Sequence, residues 1–427
     1  MSGPDIGCGL ARRQYRGMST PAPERVAVVG AGMVGLACAW YLQEHGVDVT
    51  VMERDDVAAG SSWGNAGWLT PAIATPLPEP AVLRYGLRAV LSPGSPVYVP
   101  PTTDPRLLRF LAGFARNCTM PRWRRAMDAL VPLNAGALDA FARIEAGLPE
   151  RTRPADQFLA AYRTPRERET LLQEIEHIRA AGQDVEFDLL DGDQARSQEP
   201  ALSAGITAAI RLRGQRFLDP APFVHALADD VVARGGTLVR EQHVDDVTTT
   251  TDGVTVGGRT FDAVVLATGA RLGTLARRFG VRRLVQAGRG YSFTVKVDQL
   301  PQGPVYFPAQ RVACSPARGR LRVAGMMEFR PVDAAPDPRR IRALVDAASQ
   351  LLDGADLEHR EDEWVGARPC TVDGLPLVGR SADPRVFVAG GHGMWGIALG
   401  PVTGRLLAEQ IATGRPPAAL APLDPLR

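Results

Sequence analysis

The most constraining feature of this sequence is a glycine-rich turn between a short apolar run and a helical pattern. Residues 25–30, RVAVVG, are β-branched and apolar and end in glycine, which is typical of a buried strand. The turn GAGMVG follows, residues 33–45 have helical character up to Gly46, and residues 48–53 form a second apolar run. This order predicts a right-handed βαβ unit in a parallel sheet.

The glycines of the turn have the spacing that a dinucleotide pyrophosphate requires. Gly30 permits the tight turn, Gly32 lets the backbone approach the pyrophosphate, and Gly35 allows close packing of helix on strand. The first N–H groups of the helix would face the phosphates. Glu53 follows Gly35 by eighteen residues, where its carboxylate can bind ribose hydroxyls and would repel the extra phosphate of NADP. The turn therefore predicts a dinucleotide site.

The rest of the chain predicts parallel-sheet elements at both ends and in the middle, with antiparallel elements between them. Residues 58–102 are expected to be mainly an extended loop. Helical patterns cover 106–147, 167–181, 218–236 and 337–352. Strands are expected at 237–241 and within 254–269, antiparallel strands at 289–297, 303–315 and 320–329, and a strand, glycine turn and helix at 385–414.

Composition excludes several classes of protein. Of 427 residues, 49 are Lys or Arg and 47 are Asp or Glu, so the net charge of +2 favours neither a nucleic-acid partner nor an acidic tail. Five scattered cysteines without a CxxC pair, and six histidines without an HExxH pattern, argue against a disulfide framework and a metal site. Residues 1–24 lack the apolar stretch of a signal peptide, and no run of eighteen apolar residues predicts a transmembrane helix. A cytoplasmic location is expected.

A group of arginines lies in the first long helical region. A solvated helix face is the simpler interpretation, and contact with anionic lipid at the inner membrane face or with an acidic electron carrier is the alternative. The group comprises Arg106, Arg109, Arg116, Arg122, Arg124 and Arg125.

Further features favour FAD over NAD as the dinucleotide. A loop of small residues at 60–67, GSSWGNAG, would let the backbone pass close to a flat isoalloxazine ring. The segment ATG ends a strand at Gly269, far downstream, and the turn GGHGMWG near the C-terminus leads directly into a helix whose start can stabilise a reduced flavin. No second nucleotide fingerprint for NAD is visible in the sequence.

The sequence resembles the D-amino-acid oxidase superfamily of flavoproteins, and within it the bacterial D-amino-acid dehydrogenases, over residues 25–414. The most specific part is the RP-x-T-x-DG-x-P segment that begins at Arg368 and is followed by GHG. The matching stretches are GAGMVGLACAWYL, SSWGNAGWLTP, RGYSFTV, RLRVAGMMEF, WVGARPCTVDGLPLVGR and GGHGMWGIALGPVTGRLLA.

The resemblance implies a fold, a cofactor and a reaction. The fold is α/β: a Rossmann-like FAD-binding domain with a mostly parallel sheet, interleaved with a substrate domain of α+β type built on an antiparallel sheet. After a disordered tail at 1–24, the FAD-binding domain is expected at 25–80, 195–280 and 362–420, and the substrate domain at 81–194 and 281–361. The resemblance implies non-covalent FAD. Cys370 does not match the position at which the sarcosine-oxidase branch tethers its flavin, so a covalent link through Cys370 or Cys314 is not expected. Hydride passes from the amine-bearing Cα to FAD, and the imine hydrolyses to a 2-oxo acid.

Individual residues are expected to contact the cofactor through the glycine turns and the loops around them. The expected set is Gly30, Gly32, Met33, Val34, Gly35, Glu53, Arg54, Ser61, Ser62, Asn65, Ala66, Gly67, Val244, Thr268, Gly269, Gly391, His392, Gly393, Met394, Trp395 and Gly396.

At the substrate, Arg368 is expected to hold a carboxylate, since its planar fork fits that group bidentately. Tyr291 is either a cover or hydroxyl donor for the substrate or a core aromatic of the antiparallel sheet, and Tyr306 is a weaker candidate for the same role. His392 contacts the flavin edge or holds its loop. Trp395 narrows the pocket or lines the isoalloxazine, or serves only in packing.

Three functions remain open at this level. The first is a D-amino-acid dehydrogenase for a broad or cyclic substrate, such as a D-proline derivative, with a quinone or carrier as electron acceptor. The second is an oxidase of glycine, sarcosine or another secondary amine that uses oxygen. The third is a flavin-binding redox protein without catalysis.

Overall fold

The computed structural model describes residues 22–81 and 92–427. Most of the expected N-terminal tail, and residues 82–91 of the expected loop region, lie outside the described residues. Within them, the strands in chain order are β1 (Arg25–Val29), β2 (Asp48–Met52), β3 (Trp68–Leu69), β4 (Val97–Tyr98), β5 (Arg153–Pro154), β6 (Phe158–Tyr162), β7 (Phe187–Asp191), β8 (Ala208–Leu212), β9 (Arg216–Phe217), β10 (Thr237–Val239), β11 (Val247–Thr249), β12 (Val254–Val256), β13 (Arg259–Phe261), β14 (Ala263–Leu266), β15 (Val285–Val295), β16 (Val305–Phe307), β17 (Val312–Ala317), β18 (Arg320–Phe329), β19 (Glu361–Thr371), β20 (Leu377–Arg380) and β21 (Val386–Gly390).

Helices connect or cover these strands, and several begin at a proline that follows a capping residue. Asp104, Thr164 and Asp337 each accept a hydrogen bond from an N–H group in the first turn of such a helix. The α-helices are α1 (Met33–Glu44), α2 (Pro105–Asn117), α3 (Met120–Glu145), α4 (Pro165–Ala180), α5 (Gly192–Gln198), α6 (Pro220–Ala233), α7 (Leu272–Ala276), α8 (Pro338–Ala348) and α9 (Gly396–Thr413).

The first sheet has the order β10-β2-β1-β14-β21-β20, and its strands are parallel except for β20 at one edge. Side chains of β1 alternate between two cores. Val26 and Val28 pack with α1, α6 and α9, whereas Ala27 and Val29 pack towards β12 and α7. The predicted βαβ unit and the central parallel strand ending at Gly269 are confirmed, as is the α/β class.

The second sheet is mixed, with the order β19-β15-β18-β17-β16-β6-β8-β7, and β4 pairs with β18. Of the segments expected to be antiparallel, β15, β17 and β18 pair in that way. The expected strand at 303–315 is divided by a turn into β16 and β17, and β16 pairs antiparallel with β17 but parallel with β6. Leu159 and Ala161 of β6 face a core shared with α8, while Phe158 and Ala160 face one shared with α4. The sheet is therefore covered by helices on both sides.

Two strands of the mixed sheet lie in segments that the expected boundaries assign to the FAD-binding domain. They are β8, within 195–280, and nearly all of β19, within 362–420. β8 pairs with β6 and β7, and β19 pairs with β15, so long-range pairing fixes their place. The domain boundaries themselves remain a prediction.

None of the helices in the described residues is both long and apolar enough to cross a membrane. The arginines of the basic group lie on α2 and α3 or close to the turn between them, and most of them are exposed, with Arg122 half-buried. Contact of this face with lipid or a carrier remains a prediction.

A buried arginine anchors the segment that precedes β4. Arg340, on α8, is 0% exposed, and its guanidinium donates to the carbonyl oxygens of Pro93 (2.6 Å), Ser95 (2.5 Å) and Pro96 (3.1 Å). We expect Arg340→Met to lower the free energy of unfolding by about 3–5 kcal/mol, because three buried carbonyl groups lose their donor. Denaturant unfolding measures this change. The neighbouring Arg339→Met, whose side chain is 59% exposed, should change the free energy of unfolding little; equal losses in the two variants would contradict the assignment.

Candidate active site

The turn after β1 has the shape that a pyrophosphate requires. Gly30 has φ +112°, and a Cβ there would lie 2.6 Å from the carbonyl oxygen of Ala267, so only glycine fits. A Cβ at Gly35 would lie 1.9 Å from the Gly30 oxygen. Gly32 is the N-cap of α1 and supplies no side chain, which leaves the start of the helix open to a ligand.

Glu53 lies directly after β2, beside this turn. Its carboxylate accepts hydrogen bonds from the N–H groups of Ala31 (2.7 Å) and Asp55 (3.1 Å), one on each oxygen. Each carboxylate oxygen has a second lone pair, so the group can still accept bonds from ribose hydroxyls. Arg54 forms an ion pair with Asp55 at 2.5 Å. The expected contact of Arg54 with the cofactor remains a prediction.

The small-residue loop connects the phosphate turn to the mixed sheet. Ser62 accepts a hydrogen bond from the N–H of Met33 at the start of α1 (3.2 Å), and Ser61 donates to the carbonyl oxygen of Ala367 on β19. Asn65 accepts a bond from the N–H of Gly67, whose φ is +74°. The loop thus runs from the phosphate end of the proposed FAD site to the strand that carries Arg368.

The other expected cofactor contacts lie in loops near the C-terminal ends of parallel strands. Thr268 and Gly269 follow β14, and residues 391–396 follow β21 and lead into α9, whereas Val244 belongs to the core around Val29. The Thr268 hydroxyl oxygen and the His392 Nδ1 are buried and have no hydrogen-bond partner in the described residues. A ligand rich in hydrogen-bonding groups would satisfy them, so the loops fit a dinucleotide cofactor.

His392 itself is 3% exposed, and its Nε2 lies 2.9 Å from the Thr403 hydroxyl on α9. Its ring is not part of the lining of the cavity described next, so the histidine holds the turn against α9. A contact between Nδ1 and the flavin remains a prediction.

Burial of His392 has a measurable consequence for stability. Burial lowers the pKa of His392 to about 4, because the apolar surroundings disfavour the charged ring. As the pH falls below about 6.5, His392 becomes protonated in the unfolded chain but stays neutral in the folded chain. We expect the holoenzyme to lose on the order of 3 kcal/mol between pH 7 and pH 4 from this residue. His392→Gln should flatten the dependence of the melting temperature on pH in that window; an unchanged slope would contradict this.

A cavity of about 590 Å³ opens where the small-residue loop, the mixed sheet and the C-terminal turn meet. It brings together residues that are far apart in the sequence, as a substrate site beside a flavin requires. The expected site residues in its wall are Ser61, Asn65, Ala66, Tyr291, Tyr306, Arg368, Met394 and Trp395.

Arg368, on β19, points its guanidinium across the neighbouring strand β15. A Cβ at Gly290 would lie 2.3 Å from the Arg368 Cζ, so the RGY glycine makes room for it. Arg368 Nη1 donates to the carbonyl oxygen of Met326 (2.7 Å), and within the described residues no carboxylate pairs with it. Burial lowers the pKa of Arg368, as is expected for a guanidinium that has no carboxylate partner. A substrate carboxylate would be such a partner.

Tyr291 lines the cavity with its ring, but its hydroxyl is engaged elsewhere. The hydroxyl donates to the Glu328 carboxylate (2.6 Å) and accepts a bond from the N–H of Asp337 (3.2 Å). Burial, and then Glu328, raise the pKa of Tyr291 to about 12. The geometry therefore favours a Tyr291 ring that covers the substrate, and disfavours a hydroxyl that donates to it. The role of Tyr291 itself remains a prediction.

The cavity residues that sequence reasoning missed include the ionisable Glu79, Glu174 and Arg311 and the aromatic Trp364. Glu174 had a usable signal, because it lies on the buried face of α4 between Leu171 and Ile178, where an acidic residue is unexpected. Arg311 follows a turn, and Trp364 packs over Gly64 and Gly366. Those two positions depend on tertiary contacts that no local pattern reveals.

Trp395 lines the cavity and also ties the C-terminal turn to the opposite wall. Its indole Nε1 donates to the carbonyl oxygen of Thr75 (2.8 Å). The residue therefore lines the cavity and packs against its opposite wall, and a contact of Trp395 with the isoalloxazine remains a prediction.

Comparison with known proteins places this geometry in a family. Residues 25–410 match the family described as FAD dependent oxidoreductase. A D-amino acid dehydrogenase of Cereibacter sphaeroides (strain ATCC 17023) is 32% identical over 407 residues, which cover 92% of each chain.

Among solved structures, a glycine oxidase of Geobacillus kaustophilus is similar with a TM-score of 0.71 and 23% identity, over 96% of this chain and 99% of that one. An L-proline dehydrogenase of P. horikoshii is similar with a TM-score of 0.69 and 17% identity, over 96% and 98%. These two likenesses concern the fold. The extent of the family match and the open glycine turn lead to one conclusion: the chain belongs to the FAD dependent oxidoreductase family and uses FAD.

Proposed function

We propose that this enzyme oxidises a D-amino acid to an imine, which water converts to a 2-oxo acid and ammonia. The observation that carries the proposal is the unpaired Arg368 guanidinium in the cavity wall, next to the loop expected to hold the flavin. The D-amino acid dehydrogenase relative, which is 32% identical, supports the substrate class.

In this proposal, Gly30, Gly35, Glu53 and the loop at 60–67 would hold FAD, which supplies the chemistry by accepting the hydride from Cα. The other tasks belong to the protein. Arg368 fixes the carboxylate, and the apolar walls from Met326, Met327 and Trp364 exclude water. The enzyme's main contribution is then orientation of the Cα–H bond, with the amine deprotonated before the hydride leaves.

No residue is needed as an obligatory general base in this scheme. The histidine that the sequence places in the C-terminal turn, His392, has its Nε2 next to Thr403 and is not among the residues that line the cavity. Tyr291 has its hydroxyl on Glu328. The substrate amine can instead enter as the neutral form, so the rate should rise with pH as the amine loses its proton.

An anaerobic screen tests this function. Purified holoenzyme is mixed with D-, L- and N-methyl amino acids, including a D-proline derivative, and flavin absorbance is followed. We expect bleaching by D-amino acids and little by their L-enantiomers. Bleaching by glycine or sarcosine alone would instead indicate the substrate class of the alternative, a glycine- or sarcosine-type enzyme.

The electron acceptor is tested separately, with the best substrate of that screen. Turnover with a dye acceptor and no peroxide in air would indicate a dehydrogenase, as we propose. Rapid peroxide formation would indicate an oxidase. A flavin that no amino acid reduces would contradict the proposed function.

A further inference from the structure

Part of the cavity wall away from Arg368 carries ionisable side chains. Glu174 on α4, Tyr306 on β16 and Arg311 in the turn after β16 all line the same space. The Arg368 guanidinium lies over β15 and bonds to β18, whereas β16 is two strands further along the sheet. At the usual spacing of neighbouring strands, the backbones of β16 and β18 lie about 10 Å apart. The backbone of Arg311 lies closer to β18, because its carbonyl oxygen is beside Gly325. Between the Arg368 guanidinium and these ionisable side chains the walls are mainly apolar.

Glu174 is held in position but keeps one oxygen available. The Thr75 hydroxyl donates to its Oε1 (3.1 Å), and Thr75 is itself fixed through its carbonyl oxygen, which accepts a bond from Trp395. Within the described residues, no basic side chain forms an ion pair with Glu174, and its Oε2 accepts no hydrogen bond. An acceptor of this kind in a largely apolar cavity needs a donor from the ligand.

We propose that Glu174 selects amino acids whose side chain ends in a cation, an ammonium or a guanidinium. The inference rests on the proposed function and names the substrate class of the same site. A long basic side chain extends from a carboxylate on Arg368, through the apolar middle of the cavity, to Glu174. The cation there replaces the water that the carboxylate would lose on substrate binding.

The charges around Glu174 agree with this assignment. Burial, and then the neighbouring carboxylate of Glu79, raise the pKa of Glu174 to about 7, and the nearby Arg311 only partly opposes them. Thr75 bonds to it, and Tyr162 and Tyr306 are the other titratable groups in its surroundings. A substrate cation would stabilise the ionised form that its surroundings disfavour.

The ionisation of Glu174 determines how the preference for a cationic side chain changes with pH. Below about pH 7 Glu174 is mostly protonated and attracts a cation only weakly, whereas above pH 7 it is ionised and attracts a cation strongly. The preference for a cationic over an isosteric apolar side chain should therefore increase between pH 6 and pH 8. A lysine ammonium itself keeps its proton to about pH 10.

The test compares D-lysine with D-norleucine, which has the same carbon chain but lacks the terminal ammonium. The ratio of their kcat/KM values in the holoenzyme cancels effects on the flavin and on the shared amine. We expect a ratio of about tenfold or more at pH 8, a smaller ratio at pH 6, and a ratio near one in Glu174→Gln at both pH values. Glu174→Asp should restore part of the preference.

Glu176→Gln is the matched control, because Glu176 lies on the same helix with the same charge but is exposed. Its ratio should equal that of the wild type. FAD content and melting temperature show whether each variant folds, and a Glu174→Gln protein that does not fold is replaced by Glu174→Ala, for which the ratio should likewise be near one at both pH values.

The outcomes separate this inference from the proposed function. If D-norleucine is oxidised and D-lysine is no better, or the ratio survives Glu174→Gln, the role of Glu174 is wrong while the function stands. D-glutamate as the preferred substrate would assign this region to Arg311 and an anion, and would also overturn the inference. If no D-amino acid reduces the flavin, the proposed function fails, and the inference fails with it.

Discussion

Replacing Arg368 by alanine is expected to lower kcat/KM for the amino-acid substrate by roughly two to three orders of magnitude. Loss of one partner from a desolvated charge pair costs about 2–5 kcal/mol, and each 1.4 kcal/mol is about tenfold. In this enzyme the guanidinium lies over Gly290 with no carboxylate partner among the described residues, so the substrate would be its counter-ion. The loss should appear mainly in KM.

Arg368→Lys distinguishes charge from geometry. A lysine keeps the positive charge but lacks the planar fork, so we expect activity between those of the wild type and the alanine variant. Steady-state kinetics with one D-amino acid measure the activities of both variants. The exposed Arg380→Ala serves as a control for the loss of a surface arginine. An Arg368→Ala enzyme with unchanged KM and kcat would contradict the carboxylate-binding role.

Gly35→Ala is expected to give the second large effect, a loss of FAD. The new Cβ would lie 1.9 Å from the Gly30 carbonyl oxygen, and a backbone atom in a tight turn cannot move away as a side chain can. The turn must open, which displaces the start of α1 from the phosphates. We expect FAD affinity to fall by at least about a hundredfold, roughly 3 kcal/mol.

Equilibrium dialysis, or fluorescence of released flavin, measures this affinity. Gly147→Ala is the matched control, since a Cβ at Gly147 would meet no atom closer than 3.9 Å and the residue lies outside the cofactor loops. It should retain FAD. Normal FAD binding by Gly35→Ala would show that the turn does not hold the pyrophosphate.

The cofactor half of the molecule was largely predictable because its signals are local. The run 25–30, the three glycines and Glu53 are adjacent or nearly so, and each position has a steric or electrostatic reason that does not depend on the rest of the chain. That β1, β14 and β21 are parallel strands followed from apolar runs that each lead into a glycine-containing turn.

The mixed sheet was less predictable. β6, β7 and β8 were not assigned, and β19 begins with the polar residues EDEW, so its strand character depends on pairing with β15. A strand specified by a partner some 75 residues away carries little local signal.

The site, too, was predictable where a local motif identifies a residue and unpredictable where tertiary contacts decide. Arg368 was identified from its motif, whereas the direction of its side chain depends on the bulge between Arg289 and Tyr291 and on the space over Gly290. His392 was located in the correct turn, but its bond to Thr403 requires knowledge of how α9 packs. A charged residue on the buried face of an amphipathic helix, such as Glu174, is a candidate for a functional role that the sequence alone can indicate.

One measurement tests the central claim most directly: the visible spectrum of freshly purified protein, before and after anaerobic addition of a D-amino acid. We predict a yellow protein that carries one FAD, released by denaturation because the link is non-covalent, and loss of the flavin absorbance once the substrate is added. A folded protein that is colourless and takes up no FAD, or one whose bound flavin stays oxidised with every amino acid, would contradict the claim.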